Sequence, residues 1–144
     1  MHNRLAALFF LIGALAAGLA VVLSAWLAHA PQWAGGVPPM VQTAVQQQGF
    51  HALGLLAVAL VLWCRGPSRW WLAAGVLMVA GLLLFCVNIY ARAFWQWDAL
   101  RALVPWGGTS WILAWLCLAL GALVAFRAPA RSQHQQPGPA GARD

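Results

Sequence analysis

The sequence predicts an all-α membrane protein, a bundle of four transmembrane helices with both termini in the cytoplasm. Of its 144 residues, 63% are hydrophobic and only 7% are charged, whereas a soluble domain carries about 25% charged residues. Four apolar runs are long enough to cross the hydrocarbon core of a bilayer, which takes about 20 helical residues. The basic residues other than histidine are eight arginines, which stand between or beyond these runs.

The four apolar runs define the predicted spans. Residues 5–28 contain no charge, and they exceed the apolar core of about 7–15 residues found in a signal peptide, so we expect them to remain as a span. The other spans are expected at residues 44–64, 70–91 and 104–126. Residues 1–126 therefore form the predicted transmembrane domain.

Proline and glycine mark the predicted helix ends. Pro38-Pro39 and Pro105 are expected in the first turns of the second and fourth helices, where proline is tolerated. Gly66-Pro67 interrupts the chain between the second and third spans. Residues 127–144, rich in Pro, Gly and Gln, are predicted to be a disordered cytoplasmic tail, because they cannot bury enough apolar surface to offset the entropy of ordering.

The distribution of arginine predicts the orientation. Two arginines, Arg92 and Arg101, fall on one side of the bundle, with Asp98 between them as a candidate partner. Six fall on the side that holds both termini: Arg4, Arg65, Arg69, Arg127, Arg131 and Arg143. Positive residues favour the cytoplasm, so both termini are expected there and the protein is expected to be a multi-pass protein of the bacterial inner membrane. The net charge is +6, but the arginines stand at the ends of apolar runs and do not cluster on one face among aromatic residues, so no nucleic-acid partner is expected.

Small and sulfur-containing residues are interpreted as packing elements. Cys64, Cys86 and Cys117 show no C-x-x-C spacing and lie inside or at the edge of apolar runs, where cysteine behaves as a small hydrophobe. We therefore expect neither a disulfide nor a metal site. Close helix packing is predicted at four glycines, because small residues let membrane helices approach each other: Gly13, Gly18, Gly107 and Gly108.

The ten tryptophans are interpreted in the same way. Eight lie near predicted span ends, where an amphipathic ring suits the membrane interface. Trp111 and Trp115 lie deeper and, being four residues apart, share one face of the fourth helix. For these two the sequence favours packing or contact with lipid over stacking on a ligand.

Polar residues within the spans gather towards the outer ends of the helices. His51 lies roughly 20 Å from the end marked by Arg65, and an ionisable residue at such depth is a candidate functional group. The candidate polar site consists of His51, His29, Gln48, Asn88, Tyr90 and Thr109.

Three roles remain open for His51. It could join helices through hydrogen bonds from its ring to another helix, it could serve proton transfer or ligand binding, or it could belong to a partner surface. With His29 it could also ligate copper or an axial haem. The sequence offers no third ligand, so no metal and no cofactor is expected.

No pattern indicates an enzyme. The spans contain no carboxylate, and no nucleophile stands beside a base. The phosphate-binding, zinc-protease and hydrolase motifs G-x-x-x-x-G-K, H-E-x-x-H and G-x-S-x-G are missing from the sequence. We therefore expect no catalytic residue.

Four short motifs resemble those of the membrane-protein family called domain of unknown function 423. They are the Ser24 to His29 run, the Gln47-Gln48-Gly49-Phe50-His51-Ala52-Leu53 segment, the Phe85 to Tyr90 segment and the Val104-Pro105-Trp106-Gly107-Gly108 segment. The chain has Gln47 where the family has Tyr, Cys86-Val87 where it has Ser-Gly, and Val104 where it has Thr. No role that depends on the Tyr, Ser or Thr hydroxyl is therefore assigned. The resemblance implies a four-helix inner-membrane protein with a marked histidine near the outer end.

The sequence favours a small accessory or structural subunit that packs against a larger membrane complex or against itself, within the lipid bilayer. The alternative is a ligand-, proton- or metal-binding membrane module centred on His51, with His29, at the outer leaflet. A compact bundle without substrate machinery favours the first hypothesis, and an ionisable histidine at membrane depth favours the second.

Overall fold

Four long helices form the protein, and the computed structural model describes residues 2–127. Span 1 is His2–His29, span 2 is Pro39–Arg65, span 3 is Arg69–Trp95 and span 4 is Val104–Arg127. Each is long and apolar enough to cross a membrane, and the described part of the chain contains no strand. The predicted all-α fold with four membrane spans is confirmed, while the cytoplasmic placement of the termini stays a prediction.

The connections are short. Residues 30–38 join spans 1 and 2, and residues 96–103 join spans 3 and 4, at what we call the hairpin end of the bundle. Residues 66–68 lie at the opposite end, the termini end, where the tail also begins. Beyond Arg127, the tail that was predicted to be disordered lies outside the described residues.

Local chemistry explains the helix ends. Span 2 begins at Pro39, because a proline in the first turn leaves no helical hydrogen bond unmade. It ends at Gly66, whose φ of 80° suits a residue without a side chain. The Ser68 hydroxyl then accepts a hydrogen bond from the Trp70 N–H at 3.4 Å and begins span 3.

The helices pack as two antiparallel pairs. Span 1 lies along span 2 and span 4 lies along span 3, while spans 2 and 3 also contact each other in the centre. The apolar windows of spans 2 and 3 are each 44% buried, against 22% for span 1 and 17% for span 4. Spans 1 and 4 therefore present most of their apolar surface outwards, as expected where lipid is the solvent.

Span 3 contains a π-helical turn that the sequence did not predict. Residues Leu82–Val87 are wound more widely than the α-helical segments Arg69–Gly81 and Asn88–Trp95 on either side. Span 4 packs closely on this turn, since a Cβ added to Gly107 would lie 2.7 Å from the Phe85 nitrogen. Such turns are frequent at functional sites, and this one forms the floor of the groove described next.

Candidate functional site

A groove runs between spans 2 and 4 in the half of the bundle nearer the hairpin end, with span 3 as its floor. Its volume is about 370 Å³. We call it the His51 groove; its lining residues are Thr43, Gln47, Phe50, His51, Phe85, Gly108, Trp111, Ile112 and Trp115. Four of these are Phe or Trp, so the walls are mainly aromatic.

The imidazole of His51 stacks on the indole of Trp111. The ring centroids are 3.9 Å apart and the planes differ by 7°. Phe50 meets the imidazole edge-on at 5.2 Å, and Trp115 lies 6.2 Å from it. His51 is only 4% exposed, so the aromatic rings enclose it on several sides.

Span 3 fixes the position of Trp111. The indole Nε1 donates a hydrogen bond of 3.2 Å to the Met78 carbonyl oxygen. The ring also lies directly on Gly81, where an added Cβ would overlap the indole. Gly81 is therefore required for this arrangement, and span 3 holds the ring on which His51 stacks.

The hydrogen bonding of His51 assigns different roles to its two nitrogens. Nδ1 lies 2.9 Å from the Gln47 carbonyl oxygen, one turn earlier in the same helix. A carbonyl only accepts, so this bond places a proton on Nδ1, and in the neutral imidazole Nε2 then carries a lone pair. Trp33 Nε1 is the one side-chain nitrogen or oxygen of residues 4–127 that is fully buried and has no hydrogen-bond partner. His51 Nε2 is therefore not fully buried. Because Nε2 has no protein partner there, it reaches the groove as a free acceptor.

A separate polar network lies on the other side of span 2. Gln48 Nε2 donates to the Ala16 carbonyl oxygen at 2.8 Å, and the Tyr90 hydroxyl donates to Gln48 Oε1 at 2.8 Å. Cys86 Sγ donates to the Ala44 carbonyl oxygen at 3.4 Å. These bonds connect spans 1, 2 and 3, so they serve helix packing.

The structure divides the predicted polar site. One of the roles left open for His51 was a hydrogen bond from its ring to another helix, but Nδ1–H donates to the Gln47 carbonyl oxygen of its own helix. Asn88 Nδ2 donates to the Leu84 carbonyl oxygen at 3.0 Å, and the exposed Thr109 hydroxyl donates to the Pro105 carbonyl oxygen at 3.0 Å. Both are bonds within one helix. Only Gln48 and Tyr90 of the predicted group meet across helices.

His29 does not join His51 in a site. It is exposed at the end of span 1, whereas His51 faces span 4. Over the portion of the chain described, no group of three or more His, Cys, Asp or Glu residues could hold a metal ion. The three cysteines are free thiols.

The four predicted packing glycines behave differently. A Cβ on Gly13 would lie 3.0 Å from the Ala52 carbonyl oxygen, and Gly107 meets the Phe85 backbone, so span 1 approaches span 2 and span 4 approaches span 3 closely at these points. Gly18 and Gly108 have no described atom within 4 Å of an added Cβ. The close helix packing predicted at these two glycines is not found, because Gly18 is exposed on span 1 and Gly108 lines the open groove.

Sequence reasoning missed most of the groove. Trp111 and Trp115 were recognised as sharing a face, but they were assigned to packing or lipid contact. Their i, i+4 spacing was the available signal. Phe50 and Phe85 gave none, because which faces of spans 2, 3 and 4 meet is not visible in a single hydrophobic pattern.

The chain is similar to bacterial membrane proteins. The family described as Protein of unknown function (DUF423) matches residues 23–108. The UPF0382 membrane protein YwdK of Bacillus subtilis is 34% identical over 119 residues, covering 80% of this chain and 95% of the relative. The UPF0382 inner membrane protein YgdD of Escherichia coli K12 is 30% identical over 118 residues, covering 80% and 89%. No solved structure matches. With its four spans, the chain is a multi-pass protein of the bacterial inner membrane.

Proposed function

The chain belongs to the DUF423 family of proteins of unknown function, and we propose that it is a binding module for a membrane-soluble aromatic molecule that carries a hydroxyl group. The observation that carries the proposal is the unpaired Nε2 of His51 in an aromatic groove. In this proposal the His51 Nε2 accepts the hydrogen bond of the ligand hydroxyl. The protein performs no chemistry on the ligand.

The shape and composition of the groove support an aromatic ligand. Ligand pockets are mostly apolar, with a few polar groups that fix orientation, and they measure about 300–1,000 Å³. The His51 groove, at about 370 Å³, suits a molecule of one or two rings. Aromatic side chains favour offset-stacked and edge-to-face contacts with other rings, and Phe50 and Trp115, 5.5 Å apart, stand at the exposed lip.

The position of the groove supports entry from the membrane. Phe50 is 58% exposed and Trp115 is 38% exposed, on surfaces that face lipid. A hydroxyl in hydrocarbon has no water to bond with, so an unpaired acceptor at this depth gives it a favourable partner. A donor group on the ligand is therefore the feature that the site should discriminate.

The test compares two probes that differ in that donor. We use 2-naphthol, which has a hydroxyl, and 2-methoxynaphthalene, which does not, and titrate each into the purified protein in detergent. The wild-type protein should bind 2-naphthol more tightly by about 2- to 10-fold, which corresponds to a hydrogen bond of about 0.5–1.5 kcal/mol. His51→Phe should remove this preference while retaining an aromatic ring beside Trp111.

His29→Leu is the matched control, because it removes an exposed histidine outside the groove. It should leave the preference for 2-naphthol unchanged, whereas partition of the probes into the micelle would give the same preference in His51→Phe as in the wild-type protein. Equal affinities of the wild-type protein for the two probes would overturn the proposal. So would a preference that survives in His51→Phe.

An accessory-subunit role is the second candidate. The broad apolar faces of spans 1 and 4 favour it, for example at Leu15, which is 66% exposed, and Ile112, which is 64% exposed. A larger membrane partner or a second copy of the chain could cover them, but lipid covers such faces equally well. Purification from native membranes in mild detergent, followed by mass spectrometry, tests this role. A stoichiometric partner supports it, and recovery of the chain alone contradicts it.

A further inference from the structure

A second cavity, at the hairpin end, differs in character from the His51 groove. Its volume is about 220 Å³, and the two cavities share no lining residue. Met40, Ile89 and Val104 contribute apolar wall from spans 2, 3 and 4. Arg92 and Arg101, with Asp98, form a charged mouth, so the cavity is apolar inside and charged at its edge.

The mouth carries an excess of one positive charge. Arg92 Nε and Asp98 Oδ1 form an ion pair of 2.9 Å. Asp98 is the sole acidic residue of residues 2–127, since the other one in the sequence is Asp144. The single carboxylate is paired with Arg92, and Arg101 has no carboxylate partner in that part of the chain.

The end of span 3 builds this mouth. Gln96 adopts the left-handed conformation, with φ of 56°, and its N–H donates to the Arg92 carbonyl oxygen at 3.1 Å. The Gln96 bond is that of an αL C-cap motif, and the Trp97 N–H also donates to the Ala91 carbonyl oxygen at 3.3 Å. The chain turns back at this point and brings Asp98 to Arg92. The Arg101 N–H then donates to the Asp98 carbonyl oxygen at 3.1 Å, so a backbone bond connects Asp98 to Arg101 and the ion pair connects Asp98 to Arg92.

We propose that this cavity binds an anionic phospholipid, with the phosphodiester at Arg101 and an acyl chain against Met40, Ile89 and Val104. A phosphodiester carries one negative charge, which matches the excess charge of the mouth. Arginine presents a planar set of donors that suits phosphate oxygens. Met40 on the apolar wall is 47% exposed, so a molecule with a charged head and an apolar chain covers it where a free anion leaves it uncovered.

The charge count also selects between lipid types. A zwitterionic headgroup carries an ammonium beside its phosphate, and a mouth with excess positive charge repels this ammonium. Asp98 is already engaged by Arg92, so the free group at the mouth is a cation alone. The site is therefore expected to prefer phosphatidylglycerol over phosphatidylethanolamine.

Native mass spectrometry of the purified full-length chain tests the proposal. The protein is mixed with equal amounts of phosphatidylglycerol and phosphatidylethanolamine, and the retained fraction of each is measured. Phosphatidylglycerol should be retained in preference, and Arg101→Gln should lower its retention by about fivefold, the scale of one partly exposed charge pair. Arg4→Gln removes an exposed arginine at the termini end and should have no effect.

Asp98→Asn should have the opposite effect on lipid retention. It frees the Arg92 guanidinium and raises the excess charge of the mouth to two, so retention of phosphatidylglycerol should increase. A decrease to the level of Arg101→Gln would overturn the charge argument. Equal retention of the two lipids, or an equal loss in Arg4→Gln and Arg101→Gln, would overturn the site.

Inorganic phosphate distinguishes the lipid from a free anion. Added at millimolar concentration, it should leave most of the phosphatidylglycerol in place, because the acyl chain adds contacts that phosphate cannot make. Complete displacement would contradict the lipid assignment. The experiment does not involve the His51 groove, so either proposal can fail without the other.

Discussion

The imidazole of His51 lies flat against the indole of Trp111, with 3.9 Å between the ring centroids and 7° between the planes. Each ring is also held from outside the pair. Trp111 donates to the Met78 carbonyl oxygen of span 3, and His51 Nδ1 bonds to the Gln47 carbonyl oxygen of span 2. The stack therefore joins spans 2, 3 and 4 and leaves Nε2 as the atom of His51 that is free for a ligand.

The stack predicts how His51 contributes to stability. His51→Leu should lower the free energy of unfolding by about 0.5–1.5 kcal/mol, the contribution of an aromatic pair. His51→Phe keeps a flat ring on Trp111 and should retain most of the stability. Unfolding of the purified variants in mixed micelles, followed by circular dichroism, measures the difference. Equal losses in the two variants would mean that the hydrogen bonds of the imidazole stabilise the fold, not the stacking of its ring.

The Gln48–Tyr90 hydrogen bond predicts an energetic coupling between spans 2 and 3. The Tyr90 hydroxyl lies 2.8 Å from Gln48 Oε1 in a buried position. A double-mutant cycle with Gln48→Leu and Tyr90→Phe should give a coupling of about 0.6–1.7 kcal/mol, the range for bonds between membrane helices. The same cycle with Gln48→Leu and Thr109→Val is the control, because Thr109 bonds within its own helix. Additive losses for Gln48 and Tyr90 would contradict the contact.

Arginine predicts the topology. Four arginines of the described chain lie near the termini end, Arg4, Arg65, Arg69 and Arg127, whereas Arg92 and Arg101 lie at the hairpin end. Both termini should therefore be cytoplasmic. Alkaline phosphatase fused after Asp144 should be inactive, and the same enzyme inserted after Gly35 in the first connection should be active. The reverse pattern of activity would reject the orientation.

The sequence alone predicted the four spans because their signal is composition. An uncharged run of about 20 residues has few alternatives to a membrane helix. The buried position of His51 was also visible, because its depth follows from counting residues from Arg65. Pro39 and Gly66 indicated the ends of span 2, because proline is tolerated in the first turn of a helix and glycine is favoured just after its last turn.

The pairing of helix faces could not be predicted in this way. Over most of their length the four spans are apolar on every side, so no hydrophobic stripe marks the buried face. The residues that contact each aromatic ring could not be predicted from the sequence either. Phe9 lies on Gly75 and Trp71 on Gly121, where an added Cβ would overlap each ring, and these glycines are far from the rings in sequence. The π-helical turn at Leu82–Val87 contains no Pro or Gly that would have indicated it.

Adjacent glycines in span 4 provide the last prediction, with a matched control built into the chain. A Cβ on Gly107 would lie 2.7 Å from the Phe85 nitrogen and 3.0 Å from the Leu84 carbonyl carbon, and backbone atoms cannot move aside as a side chain can. Gly107→Ala should therefore lower the free energy of unfolding by about 1–3 kcal/mol through overpacking.

Gly108→Ala should behave in the opposite way. No described atom lies within 4 Å of its added Cβ, and alanine is favoured over glycine inside a helix by up to about 1 kcal/mol. Its stability should be equal to or above that of the wild-type protein in the same unfolding measurement. If Gly108→Ala were as unstable as Gly107→Ala, another molecule would have to cover the groove at this position, because nothing within the described chain opposes the added methyl group.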